Sequence, residues 1–395
     1  MLKTTPFHAR TAAIMEGQQW RRWAGFLVAS AYEMSHEREY HAIRSSAALF
    51  DVSPLYKYQV RGRDATRLLD RIVTRNVAKC QPCQVMYTPW CDPRGKQIDD
   101  GTLHRFGEND YRLTSADPNL RWLHQNARGM QVHIDDESER IASLSLQGPL
   151  SRTILEHAIG RDLAGLKYFR LTNATIAGVS VVISRTGYTG DLGYEVWMEA
   201  PDALRVWDEL ISQGRPYGIT PAGMLALDIA RIEAGLILLD VDYVSARKAL
   251  IPGQLSSPFE LALGWTVSID KQPFNGKHAL AREAANGPSW SLVGLEVDWQ
   301  TLERLHESMG LAPRLPAMAS RVSVPVYDGS KQVGYATSSA WSPLLKRYIA
   351  LAHLESASAK PGSELEFEIT VEHRRKRAAA RVSKLPFYDP PRKRA

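Results

Sequence analysis

Cysteine is scarce, with three in 395 residues. So few cannot staple a chain of this length, which excludes a disulfide scaffold and fits a reducing, cytoplasmic home. Long apolar runs are absent as well. None approaches the ~20 residues that span a bilayer, and the opening stretch MLKTTPFHARTAAIMEG has no apolar core of the secretory type. No membrane partner is expected. Also missing are the P-loop, GxGxxG, HExxH and GxSxG patterns, and with them the common nucleotide-binding, metalloprotease and serine-hydrolase chemistries. Cys80 and Cys83 form a CxxC, but zinc takes about four ligands and no second CxxC or HxxxH accompanies it. The pair also precedes a strand-like run, whereas a thioredoxin-type pair follows a strand and opens a helix. No metal is expected. Charge of one sign is in small excess: 49 Lys+Arg stand against 43 Asp+Glu, a net +6. The two signs are interspersed, so an anionic small ligand is allowed and a nucleic-acid partner is not implied. The run Arg374–Arg377 and the segment Arg392–Arg394 read as a solvated strand and a loose tail.

Core-forming material is plentiful. Hydrophobic residues make up 44% of the chain and charged ones 23%, and the length suggests about two or three domains. Glu37–Phe50 reads as a short helix ending before a loop Asp51–Pro54. Tyr56–Arg61 alternates like a strand, and Asp64 stands where it would cap a helix carrying Ala65, Leu68, Leu69 and Ile72. Two strands flank Asp92-Pro93-Arg94-Gly95, followed by Tyr111–Thr114 and a helix within Pro118–Ala127. A strand at Ser143–Leu146, a hairpin of Val179–Ser184 with Tyr194–Ala200, and a helix from Asp202 to Gly214 come next. Thr220 with Pro221 reads as the start of another helix, closed by Gly235. Beyond Pro252, short strands between Gly/Pro turns suggest an all-β module of about 130 residues. Strands and helices without a regular βαβ rhythm make the chain α+β.

Two segments carry candidate chemistry. Asp99 and Asp100 sit side by side in a strand-like run, where aspartate is disfavoured. Neighbouring strand side chains point to opposite faces, so the two cannot act as one dyad. The inward one needs a cationic or N–H-donating partner. A charge at a hairpin edge explains the pair equally well. The second segment is Arg185-Thr186-Gly187-Tyr188-Thr189-Gly190-Asp191-Leu192-Gly193-Tyr194-Glu195. Its three glycines permit positive φ and close backbone approach to a ligand, although such a loop is more often only a turn.

In this order these residues resemble the folate-dependent aminomethyltransferase family, whose best-known member is the T-protein of the glycine cleavage system. The similarity runs through HAIRSSAALFDVS (41–53), GKQIDDGTLHR (95–105), SLQGP (145–149), RTGYTGDLGYEV (185–196) and ARIEAG (230–235). It continues through LGWTVSIDKQPFNGKHAL (263–280), VPVYDGSKQVGYATSSAWSPLLKRYIALAHL (324–354) and LPFYDP (385–390). The resemblance implies a three-domain cloverleaf around tetrahydrofolate. Residues 1–52 plus 145–250 would form a discontinuous folate-binding domain, 53–144 an inserted α+β domain, and 255–395 a β-barrel-like domain. It implies one-carbon transfer to tetrahydrofolate from a small-molecule or lipoyl-carrier-bound donor. Asp99 matches the family's essential carboxylate near folate N5 and N10, and Glu195 the acid that accepts hydrogen bonds from the pterin. Tyr87, Tyr188 and Tyr388 fall in or near folate-site segments. Arg231 lies on the matching helix, either toward the folate tail or as a stabiliser of the fold.

Three positions depart from the family pattern. Leu227 stands where the T-protein carries a cofactor-contacting arginine. The family's Asp-Val-Ser-His reads Asp51-Val52-Ser53-Pro54, and its Gly-Gly before the Asp pair reads Gly95-Lys96-Gln97. These departures admit a tetrahydrofolate-dependent O-, S- or N-demethylase beside the glycine cleavage enzyme. A non-catalytic folate-binding maintenance protein is the reading from another class; such proteins carry a cysteine in the loop, and Arg185–Glu195 has none.

Overall fold

Tyr58 and Val60 on one strand, and Leu68, Leu69 and Ile72 on the next helix, form single apolar faces that bury against each other. They begin the core of an inserted unit in a computed structural model, which describes residues 2–395. Its five-stranded sheet runs Gln84–Cys91, Gln97–Arg105, Asp110–Ser115, Tyr56–Arg61, His133–Asp136. Trp90, Leu103, Tyr111 and Leu113 fill the side covered by the helices Ala65–Ile72 and Leu120–Asn126. By strand alternation the opposite face carries Tyr87, Asp100, Thr102, His104, Arg112 and Lys57.

A second, six-stranded sheet runs Leu171–Ile176, Val179–Ser184, Gly193–Glu199, Ile141–Gln147, Ala47–Asp51, Ile219–Pro221. Leu144, Leu146, Val196, Val206 and Leu210 pack its core side against the helices Ser151–Ile159 and Ala203–Gly214. Its other face carries Ser143, Ser145, Ser184, Glu195 and Trp197 in register. The two polar faces meet: Trp197 lies edge-on to His104, with ring centroids 5.2 Å apart, and Arg112 lies over the same indole. The third unit is a closed six-stranded barrel built from Trp290–Val297 to Arg374–Ser383. Helix Met224–Glu233 joins it to the second sheet, since Ala226, Ile229 and Ala230 share one core with Phe50, Ala340 and Ile349. Among the described residues no helix is long and apolar enough to cross a membrane.

Some local expectations change. The helix at Glu37 ends at Ser45, and Ala47–Asp51 is a strand buried along its whole length. Thr220 and Pro221 do not start a helix; Ile219–Pro221 pairs in parallel with Ala47–Leu49 at the sheet edge, and the helix begins at Met224. An edge strand tolerates proline because its missing N–H faces no partner. Asp64 is the N-cap residue of Ala65–Ile72, but its side chain makes no cap bond and instead accepts from Gln131 N at 2.8 Å. The segment Arg392–Arg394 is not loose but is bound to Asp191 and Asp389.

Lys57 sits where the chain enters and leaves the inserted sheet. Its buried ammonium donates to Ser53 O at 2.6 Å, Leu55 O at 2.8 Å and Ser138 O at 3.3 Å, tying the entering strand to the leaving one. Burial, reinforced by Arg112, pushes its pKa from the ordinary 10.5 to about 7. Between those two values the unfolded chain binds a proton that the native one lacks, so this group makes stability rise with pH across that window. Lys57→Met is expected to flatten the pH dependence of the urea midpoint between pH 7 and 9. An unchanged slope would remove Lys57 as its source.

Candidate active site

The pairing of Gln84–Cys91 with Gln97–Arg105 sets Tyr87 opposite Thr102 and Pro89 opposite Asp100, which places Tyr87 and Asp100 on one face. The Tyr87 hydroxyl donates to Asp100 Oδ2 at 2.9 Å, and the Tyr243 hydroxyl donates to Oδ1. Burial raises the Asp100 carboxyl pKa, and the two phenols pull it back. The phenols are held protonated, by burial first and then by the Asp100 charge. Trp265 stacks on Tyr87 with centroids 6.2 Å apart, and the Arg75 guanidinium lies 5.4 Å from the indole centroid. Tyr188 donates to Ile237 O; burial raises its pKa, with Arg231 opposing and the charges of Asp242, Asp100 and Asp228 adding to the rise.

Asp99 points the other way, into the core of the inserted unit. It is fully buried beside Trp90. Its Oδ1 accepts from Asp100 N at 2.8 Å, and its Oδ2 from Asn119 Nδ2 at 2.8 Å and Asp117 N at 3.1 Å. Burial drives its pKa well up, with Asp100 adding to the shift. The structure therefore does not bring Asp99 together with Tyr87. The half-buried carboxylate on the tyrosine face is Asp100.

On the facing sheet, Glu195 lies between Ser145 and Ser184. Its Oε2 accepts from Thr186 Oγ1 at 2.6 Å and Ser184 Oγ at 3.5 Å, while Oε1 has no partner among the described residues. Burial raises its pKa and the two hydroxyls oppose that. The loop before it closes around a residue that sequence reasoning missed. Gln147 is fully buried, donating to Ser145 Oγ at 2.9 Å and Thr186 O at 3.2 Å and accepting from Thr189 Oγ1 at 2.9 Å. A Cβ on Gly187 or on Gly193 would stand 2.1 Å from Gln147 Oε1. Only Gly190 needs its glycine for a positive φ, +74°, and there a Cβ would meet Ala234 at 2.5 Å.

Arg231 and Tyr388 belong to other networks. The buried Arg231 guanidinium binds Asp242 and donates to Ser338 Oγ at 2.7 Å and Leu236 O at 3.3 Å, pinning its helix to the barrel. Tyr388 donates to Asp191 at 3.2 Å, accepts from Arg392 at 2.7 Å, and lies under the Arg44 guanidinium. A groove of about 770 Å³ lined by Arg112, Arg161, Val182 and Trp197 runs alongside, but Tyr87, Asp100, Tyr188 and Glu195 do not line it. Cys80, Cys83 and Cys91 are free thiols. No three His, Cys, Asp or Glu side chains converge as metal ligands among the described residues.

Two half-buried carboxylates thus stand on facing polar sheets, Asp100 held by two phenols and Glu195 with one oxygen unpartnered. The matching family models are the GCVT N-terminal domain over residues 4–271 and the glycine cleavage T-protein C-terminal barrel domain over 307–389. An aminomethyltransferase of Moorella thermoacetica is 34% identical over 99% of both chains, and one of Bacillus subtilis is 34% identical over 90% of this chain and 91% of its own. A trimethylamine-oxide aldolase of Ruegeria pomeroyi is also 34% identical, over the whole of this chain and 48% of its own. In fold, the chain matches the glycine cleavage aminomethyltransferase T of Bartonella henselae with a TM-score of 0.83, at 24% identity over 98% of this chain and 99% of that one. The chain belongs to the glycine cleavage T-protein family of aminomethyltransferases, one-carbon group transferases.

Proposed function

We propose that the chain moves a one-carbon group from a small or carrier-bound donor to tetrahydrofolate held between the Asp100 and Glu195 faces. The observation that carries this reading is the unpartnered Glu195 Oε1 beside an otherwise satisfied carboxylate. It is an acceptor waiting for an N–H, and a reduced pterin presents several. When bound, tetrahydrofolate supplies the nitrogen nucleophiles that receive the carbon. Glu195 accepts ring and amino N–H groups through charge-assisted bonds. Asp100, rather than Asp99, orients the acceptor nitrogens and stabilises positive charge that develops at the transferred carbon. Tyr87 and Tyr243 fix that carboxylate so that little reorganisation is needed during transfer. The Trp265–Tyr87 stack walls the site with apolar surface. An aminomethyl donor is the first reading. A methyl donor is the second, supported by the match of this chain to 48% of the trimethylamine-oxide aldolase and by Leu227 on helix Met224–Glu233.

Titration calorimetry with tetrahydrofolate tests the site, and mass spectrometry of the folate product tests the transfer. Glu195→Gln is expected to weaken tetrahydrofolate binding about 10- to 100-fold, since one charged hydrogen-bond acceptor is lost. Methylenetetrahydrofolate formed from an aminomethyl-lipoyl carrier marks aminomethyl transfer; methyltetrahydrofolate marks demethylation. Failure of the unmodified protein to bind tetrahydrofolate would sink the reading.

A further inference from the structure

We propose that Arg21 and Arg321, gathered on Asp228, form a carboxylate-binding site at the margin of the Asp100–Tyr188 region. It takes either the glutamyl tail of a folate or the carboxylate of an N-methyl amino acid donor. The choice of ligands rests on the one-carbon reading; the charge imbalance described next does not.

Asp228, on helix Met224–Glu233, is 5% exposed. Arg321 donates Nη2 to both of its oxygens at 2.7 Å and Nε to Oδ2 at 3.1 Å. Arg21, from the strand Trp20–Trp23, donates Nη1 to the same Oδ2 at 3.2 Å and Nε to Ser30 Oγ at 3.2 Å. The third guanidinium nearby, Arg231, stands 3.9 Å away and is balanced by Asp242. Two cations thus share one carboxylate, leaving one positive charge in surplus. One arginine would neutralise Asp228; the second adds like-charge repulsion in a partly desolvated place. A bound monoanion relieves it.

The donors for that anion are present. Arg21 Nη2 and Arg321 Nη1 have no acceptor among the described residues, and the two side chains keep 25% and 39% of their exposure. A guanidinium fork matches the two oxygens of a carboxylate. The place is also right. Tyr188 feels the charges of both Asp100 and Asp228, and Trp23, Tyr87, Leu227 and Ala319 pack half-buried against one apolar cluster that includes Ala226 and Ile229 of the Asp228 helix. Leu227, the residue before Asp228, supplies no charge, whereas Arg21 and Arg321 bind Asp228 itself.

Calorimetry on the full chain, with Arg21→Gln, Arg321→Gln and Arg321→Lys, separates the outcomes. The probes are tetrahydrofolate, 6-methyltetrahydropterin (the pterin without any carboxylate), N-methylglycine and dimethylamine. Each glutamine variant is expected to lose about tenfold affinity for a carboxylate-bearing ligand, the loss of one charge-assisted pair. Arg321→Lys, which keeps the charge but not the fork, is expected to lose less. If the tail is the ligand, the loss appears with tetrahydrofolate and vanishes with 6-methyltetrahydropterin. If the donor is the ligand, it appears with N-methylglycine and vanishes with dimethylamine. Either pattern supports the site. Unchanged affinities in folded variants for all four probes would overturn it. Should the unmodified protein bind no folate, the one-carbon reading falls and the N-methylglycine arm alone decides. Circular dichroism establishes folding; if Arg321→Gln does not fold, Arg21→Gln and Arg321→Lys carry the same comparison.

Discussion

Asp100→Asn is expected to lower turnover about 100- to 1,000-fold without unfolding the protein, the scale of losing one preorganised charge at a reacting centre. Asp99→Asn is expected to do the opposite. Asp99 accepts three N–H bonds inside the inserted core, from Asp100 N, Asp117 N and Asn119 Nδ2. An amide there turns a donor toward donors, and each lost bond to a buried charge costs about 1.5–3 kcal/mol. The urea midpoint should drop while turnover per folded molecule stays near that of the unmodified enzyme. Asp100 contributes no comparable backbone contacts, and its phenol partners can bond a neutral amide. Full turnover in Asp100→Asn, with loss confined to Asp99→Asn at unchanged stability, would return the role to Asp99.

Removing Arg44 is expected to give the largest loss of stability. Its side chain is 3% exposed and donates to Glu233 Oε2 at 2.5 and 3.0 Å, Thr189 O at 2.9 Å, Ala230 O at 3.3 Å and Asp191 at 3.4 Å. Glu233 also accepts from Tyr40 and Ser342, so one buried ion pair links helix Glu37–Ser45, helix Met224–Glu233, the barrel and the glycine loop. Arg44→Ala leaves Glu233 buried with hydroxyl partners only, and about 3–5 kcal/mol is the usual cost of such a half-removed pair. The urea midpoint reads the loss, and amide exchange across residues 185–193 should speed up. Combining Arg44→Met with Glu233→Gln removes both charges and is expected to recover part of it. A midpoint unmoved by Arg44→Ala would mean the network contributes nothing net.

The C-terminal all-β module and both hairpins are legible because alternation and turn residues mark them strongly, whereas the barrel and the inserted unit follow only from the family resemblance. Ala47–Phe50 is not legible, since a short apolar run buried on both faces has no period to distinguish strand from helix. For Asp99 and Asp100, alternation correctly separates the two faces, but which face meets the tyrosines depends on the pairing with Gln84–Cys91 and on Tyr243, some 140 positions away. From the sequence alone the glycines of the loop read as conformational. Gly187 and Gly193 instead make room for Gln147, a neighbour that only the folded sheet supplies. Arg231, left open between ligand and fold, is occupied by Asp242 and Ser338. The Arg21–Asp228–Arg321 cluster draws on three distant segments and leaves no local signal at all.

The clamp on Asp191 has a consequence for synthesis. Arg392 binds Asp191 at 2.7 and 2.9 Å across 201 positions of sequence. Arg185, from the same loop, reaches the backbone carbonyls of Arg392 and Lys393. On a ribosome adding residues at the usual pace, the loop is made about 10 to 40 s before its clamp. During that interval Asp191 has Arg44 as its cation but not Arg392, and the Glu195 hairpin stands without its outer brace. The Glu195 loop is thus secured only once a segment 201 positions downstream has been made, although its own strands are translated well before.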